Sequence, residues 1–172
     1  YKLLDDGSVT EKSRLVARGF QEENKKDDTY WGVSSHVSNM ILLAIIAMED
    51  LEFHLVDIKC AFLNSDLLED ERVQLEMPPG FATLMRELKI EHDLPEGVDR
   101  VDQKMPNSKR HRLVLLAIRS VYGLVISPKS WGRALRSYLV EKLGFTSLKN
   151  DPCMYIRVHS GVTMYLSTTV DD

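Results

Sequence analysis

The sequence predicts an α+β fold, helices mixed with antiparallel strands, on three observations. A capped amphipathic segment opens at Ser127-Pro128, a nearly all-apolar run follows Ser38, and two alternating segments flank the turn signal His159-Ser160-Gly161. The 172 residues are 44% hydrophobic and 28% charged, which excludes a disordered or collagen-like chain. A chain of this length buries roughly 70% of its unfolded surface, so one domain with one core is expected. The longest apolar run, Met40 to Met48, falls short of the ~18 residues of a membrane span, and a soluble intracellular protein is expected. Cys60 and Cys153 have no Cys or His at metal-ligand spacing, so both are expected to be reduced core thiols.

Each element has its own signal. Arg14 to Arg18, enclosing Leu15, Val16 and Ala17, predicts a short strand after the Gly7-Ser8 turn. Ser38 is the expected N-cap of a helix running to Asp50, and Ile41, Leu42, Leu43, Ile45, Ile46 and Met48 leave it so little polar face that it should be buried. Glu52 to Ile58 alternates, with Phe53, Leu55 and Asp57 opposite His54, Val56 and Ile58, and predicts a strand. Arg72 to Met77 alternates again until Pro78-Pro79-Gly80 stops it. Residues 82–112, broken by Pro95, Gly97 and Pro106, read as a surface insertion with at most one helix. Ser127 is the expected N-cap of the next helix, with Pro128 at its first position and Gly144 just past its end. Trp131, Leu135, Tyr138, Leu139 and Leu143 form its apolar stripe, and Lys129, Arg133 and Arg136 lie opposite. Cys153 to Val158 and Val162 to Val170 then form a hairpin whose second strand leads into Asp171-Asp172.

The net charge of −4 argues against a protein whose whole surface coats nucleic acid. Its distribution is uneven. Glu49 to Glu76 carries nine acids against Lys59 and Arg72, whereas Gln103 to Val140 carries eight bases and no acid. A cation-binding centre beside a basic nucleic-acid surface would read this way, and so would two solvated faces of one domain. Asp57 ends one expected strand and Asp171 and Asp172 end another, so three carboxylates, the hard oxygen ligands magnesium takes, could be brought together. Solvated surface aspartates give the same pattern.

Phe53-His54-Leu55-Val56-Asp57-Ile58-Lys59-Cys60-Ala61-Phe62-Leu63-Asn64 resembles the first catalytic motif of the reverse transcriptases of copia-type retrotransposons. Further segments follow in that family's order. Arg14-Leu15-Val16-Ala17-Arg18-Gly19-Phe20 resembles its fingers segment, and Glu76-Met77-Pro78-Pro79-Gly80-Phe81 its strand and turn after the first motif. Val121-Tyr122-Gly123-Leu124 with Ser127-Pro128-Lys129-Ser130-Trp131 resembles its second motif, Asn150 to Ile156 the approach to its catalytic hairpin, and Val170-Asp171-Asp172 the end of its third motif.

The resemblance implies an RNA-directed DNA polymerase domain of a retrotransposon Pol polyprotein. Its fold would be polymerase-like fingers and palm, an antiparallel sheet backed by helices and truncated after the third motif. Residues 1–172 would form a single partial domain, fingers-like over about 1–50 and palm over about 51–172, with the insertion near 82–112. Asp57, Asp171 and Asp172 would be catalytic and would hold two magnesium ions, manganese being the alternative. A primer 3′-hydroxyl would attack the α-phosphate of the incoming nucleotide, with catalysis mostly positioning and charge neutralisation. Lys12, Arg14, Ile58, Phe62, Tyr122, Gly123 and Pro128 would contact the nucleotide. Arg14 would grip the triphosphate, although a surface arginine would read alike. Phe62 would exclude a ribose 2′-hydroxyl, although core packing would also place an aromatic there. The implied partners are an RNA template, a DNA or RNA primer, deoxynucleoside triphosphates and the rest of the Pol polyprotein, with no membrane. The implied compartment is the cytoplasm, inside virus-like particles.

The chain departs from the family pattern at Thr169, where a Tyr is expected, at Val125-Ile126, where Lys-Gln is expected, and in reaching Asp172 without the strand expected to follow the third motif. These departures suit a second reading, an inactive remnant serving as a nucleic-acid- or protein-binding module through Lys129, Arg133 and Arg136. An unrelated metal-dependent phosphodiesterase would explain the aspartates but none of the ordered motifs.

Overall fold

The computed structural model describes residues 2–3, 9–10, 14–22, 29–78, 81, 98–104 and 111–169. Within them the chain mixes helices with antiparallel sheets, as an α+β fold requires. Strands β1 (Lys2–Leu3) and β2 (Val9–Thr10) form a small ribbon. Helix α1 spans His36–Met48. Strands β3 (Val73–Glu76), β4 (Val98–Lys104) and β5 (His111–Ala117) make a sheet in the order β3-β5-β4. Helix α2 spans Ser127–Ser137 and widens into a π-helical turn over Tyr138–Lys142. Strands β6 (Thr146–Ser147), β7 (Met154–His159) and β8 (Val162–Ser167) make the last sheet in chain order.

The two strongest turn signals act as expected. Ser160 and Gly161 sit at φ +51° and +78°, the two left-handed positions of a two-residue hairpin turn, and His159 pairs with Val162. Gly144, at φ +70°, ends the helical run that α2 begins. Pro128 lies in the first turn of α2, but Ser127 is already helical and Ile126 occupies the cap. The freed Ser127 hydroxyl donates instead to the Val121 carbonyl at 2.7 Å, tying the helix start to the preceding turn.

Helix α1 begins three residues earlier than expected. Ser35 is its N-cap, and its side chain accepts the Ser38 N–H at 3.0 Å, so Ser38 is the third helical residue. The far end closes at Asp50 (φ +49°), with the Leu51 N–H bonded to the Ile46 carbonyl. Nor is α1 buried: Leu42 is its one buried residue, while Val37, Met40, Ile41, Leu43 and Met48 are exposed. The expected strand at 52–58 is irregular, with Phe53, Leu55, Val56 and Ile58 exposed. Alternation becomes a strand only where a neighbouring strand takes up its backbone groups, and no described strand pairs with 52–58. Residues 14–18 are likewise no strand, although backbone bonds from Ala17 and the adjoining Gly19 tie the chain here to the turn at 122–123. The insertion contains β4, which pairs along its whole length with β5. β8 stops at Ser167, and residues 170–172 lie outside the described residues.

The core sits where β3 and β5 meet the turn before α2. Leu67, Ala117, Leu124 and Ile126 are buried there, with Ala17, Val73, Leu75 and Val121 packed against them. The acidic and basic stretches also meet in ion pairs. Arg133 on α2 grips Glu71 with two hydrogen bonds of 3.0 and 2.8 Å, and Arg119 reaches Asp66 at 3.2 Å. The hydrogen bonds that Arg133 donates to the Glu71 carboxylate raise its pKa above its already high ordinary value, so the guanidinium stays charged. The Glu71 side chain is only 5% exposed, and Arg133→Met strips a buried carboxylate of its bidentate partner. That substitution should lower the free energy of unfolding by about 2 kcal/mol in urea denaturation, with Arg133→Lys in between; a change under about 0.5 kcal/mol would refute the pair's structural role.

A second junction ties α1 to the last hairpin. Asp151 accepts the Ser35 N–H at 2.8 Å and the Cys153 N–H at 3.2 Å, and the Ser167 hydroxyl donates to Asn39 at 2.7 Å. Burial pushes the Asp151 carboxyl up, but hydrogen bonds from Ser38, Ser35 and Cys153 outweigh it and hold the group below the ordinary carboxylate range. Such a depressed group stabilises the fold fully above its unfolded pKa near ~3.9, and the contribution disappears as pH falls through its lower folded value. Asp151→Ala should therefore cost about 2 kcal/mol at pH 7 and less at pH 3 in urea unfolding, and an equal loss at both would contradict this. Cys153 is buried, and burial pushes its thiol up, as expected of a core thiol. Cys60 is exposed at φ +54°, contrary to the core placement expected for it.

Candidate functional site

Three distant parts of the chain converge at the turn before α2. Ala17 donates its N–H to the Tyr122 carbonyl at 2.7 Å, and Gly19 donates to the Gly123 carbonyl at 3.1 Å. The approach is close enough to exclude side chains. A Cβ on Gly19 would collide with the Gly123 carbonyl oxygen, and a Cβ on Gly123 would collide with the Ala17 carbonyl oxygen and stand 2.7 Å from Val16 Cγ1. Gly123 also has φ +88°, where a side chain is strained in any case.

This junction places the expected nucleotide contacts beside one another. The Arg14 guanidinium lies over the Tyr122 ring, 4.5 Å from its centroid. The Phe62 ring meets the same tyrosine edge-on, with centroids 5.3 Å apart and planes at 71°. Phe62 is 7% exposed, on a 3-10 turn over Ala61–Asn64 whose end is held by Ser65, which donates both its N–H and its hydroxyl to the Phe62 carbonyl. Pro128 is half-buried in the first turn of α2, next to the Ser127 hydroxyl that anchors Val121. Arg14, Phe62, Tyr122 and Gly123 are thus assembled.

Of the three acidic residues, Asp57 is the one that lies among the described residues. Asp57 is exposed on the irregular stretch 52–58, beside Ile58 at 42% exposure, and its carboxylate has no hydrogen-bond or ion-pair partner among the described residues. Asp171, Asp172 and Lys12 lie outside the described residues. Among the described residues no cluster of three His, Cys, Asp or Glu side chains could hold a metal ion. Glu71, which grips Arg133 from below 10% exposure, carried no signal of its own in a run of four charged residues. No helix among the described residues is long and apolar enough to cross a membrane.

Residues 1–94, more than half of the chain, match the family model described as reverse transcriptase (RNA-dependent DNA polymerase). The retrovirus-related Pol polyprotein from transposon TNT 1-94 of Nicotiana tabacum is 28% identical over 162 residues, covering 91% of this chain and 10% of that protein. Those from transposons RE1 and RE2 of Arabidopsis thaliana are 27% and 26% identical over 174 residues, each covering 99% of this chain and 10% of the relative. The chain therefore spans about a tenth of the length of the curated relatives it matches. No solved structure matches it. On the family match and these relatives, which agree with the resemblance carried by its ordered motifs, the chain belongs to the reverse transcriptase (RNA-dependent DNA polymerase) family of copia-type retrotransposons.

Proposed function

We propose that the chain is the fingers and palm portion of an RNA-directed DNA polymerase, adding deoxynucleotides to a primer 3′-hydroxyl on an RNA template. The observation that carries this reading is the convergence of Arg14, Phe62 and Tyr122 at the Gly19–Gly123 junction. A guanidinium suited to phosphate stands there beside aromatic rings suited to a sugar and base, within a chain of this family. Arg14 and Lys12 would take the triphosphate, Phe62 would face the sugar, and Tyr122, Gly123 and Pro128 would form the surface beneath the nucleotide. The backbone at Ile58 would lie along the triphosphate.

Asp57, Asp171 and Asp172 would hold magnesium, or manganese in its place. Their donor chemistry fits, because carboxylate oxygens are what such ions take, and the exposed Asp57 carboxylate is open to one. When bound, the ions would supply charge neutralisation at the reacting phosphate. Residues of about 1–50 would serve as fingers and about 51–172 as palm. The partners would be the template, the primer and the rest of the Pol polyprotein, in the cytoplasm.

The second reading, a binding module using Lys129, Arg133 and Arg136, loses part of its support. Arg133 is committed to Glu71 rather than presented to a phosphate chain. Magnesium-dependent incorporation of deoxynucleotides on a primed RNA template tests the proposal; salt-sensitive binding of the template without incorporation would favour the module instead.

A further inference from the structure

We infer that Tyr122 is a positioning residue whose ring holds Arg14 and Phe62 in one arrangement, so that the grip on a triphosphate and the choice of sugar depend on each other. The inference rests on the nucleotide site proposed above and names what sets the substrate selectivity of that site. The stacking contacts of Arg14 and of Phe62 both run to the same ring, at 4.5 and 5.3 Å between the groups concerned. Arg14 is exposed, and a long cationic side chain in water samples many rotamers unless a partner selects one. The Tyr122 face supplies that partner.

Tyr122 is itself held on both sides. Its carbonyl accepts the Ala17 N–H at 2.7 Å, its neighbour Gly123 accepts the Gly19 N–H at 3.1 Å, and Val121 before it accepts the Ser127 hydroxyl at 2.7 Å. The arginine and the ring that it stacks on are therefore joined through both backbone and side chain. Phe62 is fixed from its own turn by Ser65 and leans on the tyrosine with its ring nearly perpendicular. A shift of the Tyr122 ring thus moves the phosphate-facing cation and the sugar-facing ring together. The contacts use the aromatic ring, so phenylalanine should preserve them and a branched aliphatic side chain should not.

The test is the binding of a fluorescently labelled deoxynucleoside triphosphate, and of the matching ribonucleoside triphosphate, to the chain in magnesium buffer, followed by anisotropy. Arg14→Met and Tyr122→Leu should each weaken deoxynucleotide binding about tenfold, and the double variant should lose about tenfold rather than about a hundredfold. Tyr122→Leu should also lower the deoxy-to-ribo preference at least about threefold, whereas Tyr122→Phe should stay within about twofold of the unsubstituted chain on both counts. Additive losses, or an unaltered preference in Tyr122→Leu, would overturn the positioning role and leave the nucleotide site standing. Absence of saturable binding by the unsubstituted chain would overturn the site and this inference together. If Tyr122→Leu does not fold, the pair Arg14→Met and Phe62→Leu decides the same point: losses that fail to add support coupling through Tyr122, and additive losses refute it.

Discussion

Gly123→Ala should cost about 3–4 kcal/mol of stability and lower the melting temperature by roughly 10 °C. The left-handed backbone at φ +88° accounts for about 1–2 kcal/mol of this, because any L side chain is strained there. The remainder comes from displacement. The new Cβ collides with the Ala17 carbonyl oxygen, which must withdraw, and the withdrawal breaks the bonds from Ala17 to Tyr122 and from Gly19 to Gly123. Each such bond contributes about 1 kcal/mol net. Gly161→Ala is the matched control: its φ of +78° carries similar strain, but an added Cβ meets nothing within 4 Å. That variant should lose only about 1 kcal/mol. Urea unfolding of the two variants separates strain from collision, and equal losses would show that the interlocked glycines do not hold the 14–19 segment against the turn. The same substitution removes the backbone that sets Arg14 over Tyr122, so nucleotide binding should fall with it.

The elements that were legible in the sequence are those whose determinants are local. The hairpin at 159–162 needs only two left-handed positions, which Ser160-Gly161 supplies. Helix α2 carries its proline, its apolar spacing and its terminal Gly144 within one stretch. Elements that depend on a partner surface were misread. The alternation at 52–58 and the apolar run of α1 both imply burial, yet the described residues offer neither a strand to one nor a covering layer to the other. The strand β4 was hidden by its charged residues Asp99, Arg100, Asp102 and Lys104, which interrupt any apolar alternation, and its pairing is set by β5.

The candidate site divides along the same line. Arg14, Phe62, Tyr122 and Gly123 could each be named from motifs, but their stacking on one ring joins residues far apart in sequence and was not legible. Charge patterning misled in a specific way. The acidic and basic stretches read as separate surfaces, whereas Glu71 with Arg133 and Asp66 with Arg119 pair residues of one stretch with residues of the other. A pair distant in sequence leaves no periodicity to detect.

Asp57 carries the central claim, because it is the one proposed metal ligand among the described residues. It is exposed, and its carboxylate has no hydrogen-bond or ion-pair partner among the described residues, so Asp57→Asn should change stability by less than about 0.5 kcal/mol. Neutralising a carboxylate that holds a catalytic cation should instead remove several kcal/mol of transition-state stabilisation, at least about a hundredfold in rate. The direct measurement is magnesium-dependent incorporation of deoxynucleotides on a primed RNA template by the unsubstituted chain and by Asp57→Asn, with unfolding curves recorded on both. Incorporation by the former, lost at least about a hundredfold in the latter at equal stability, is the result this account predicts. Equal rates for the two, or no incorporation by the unsubstituted chain, would contradict it.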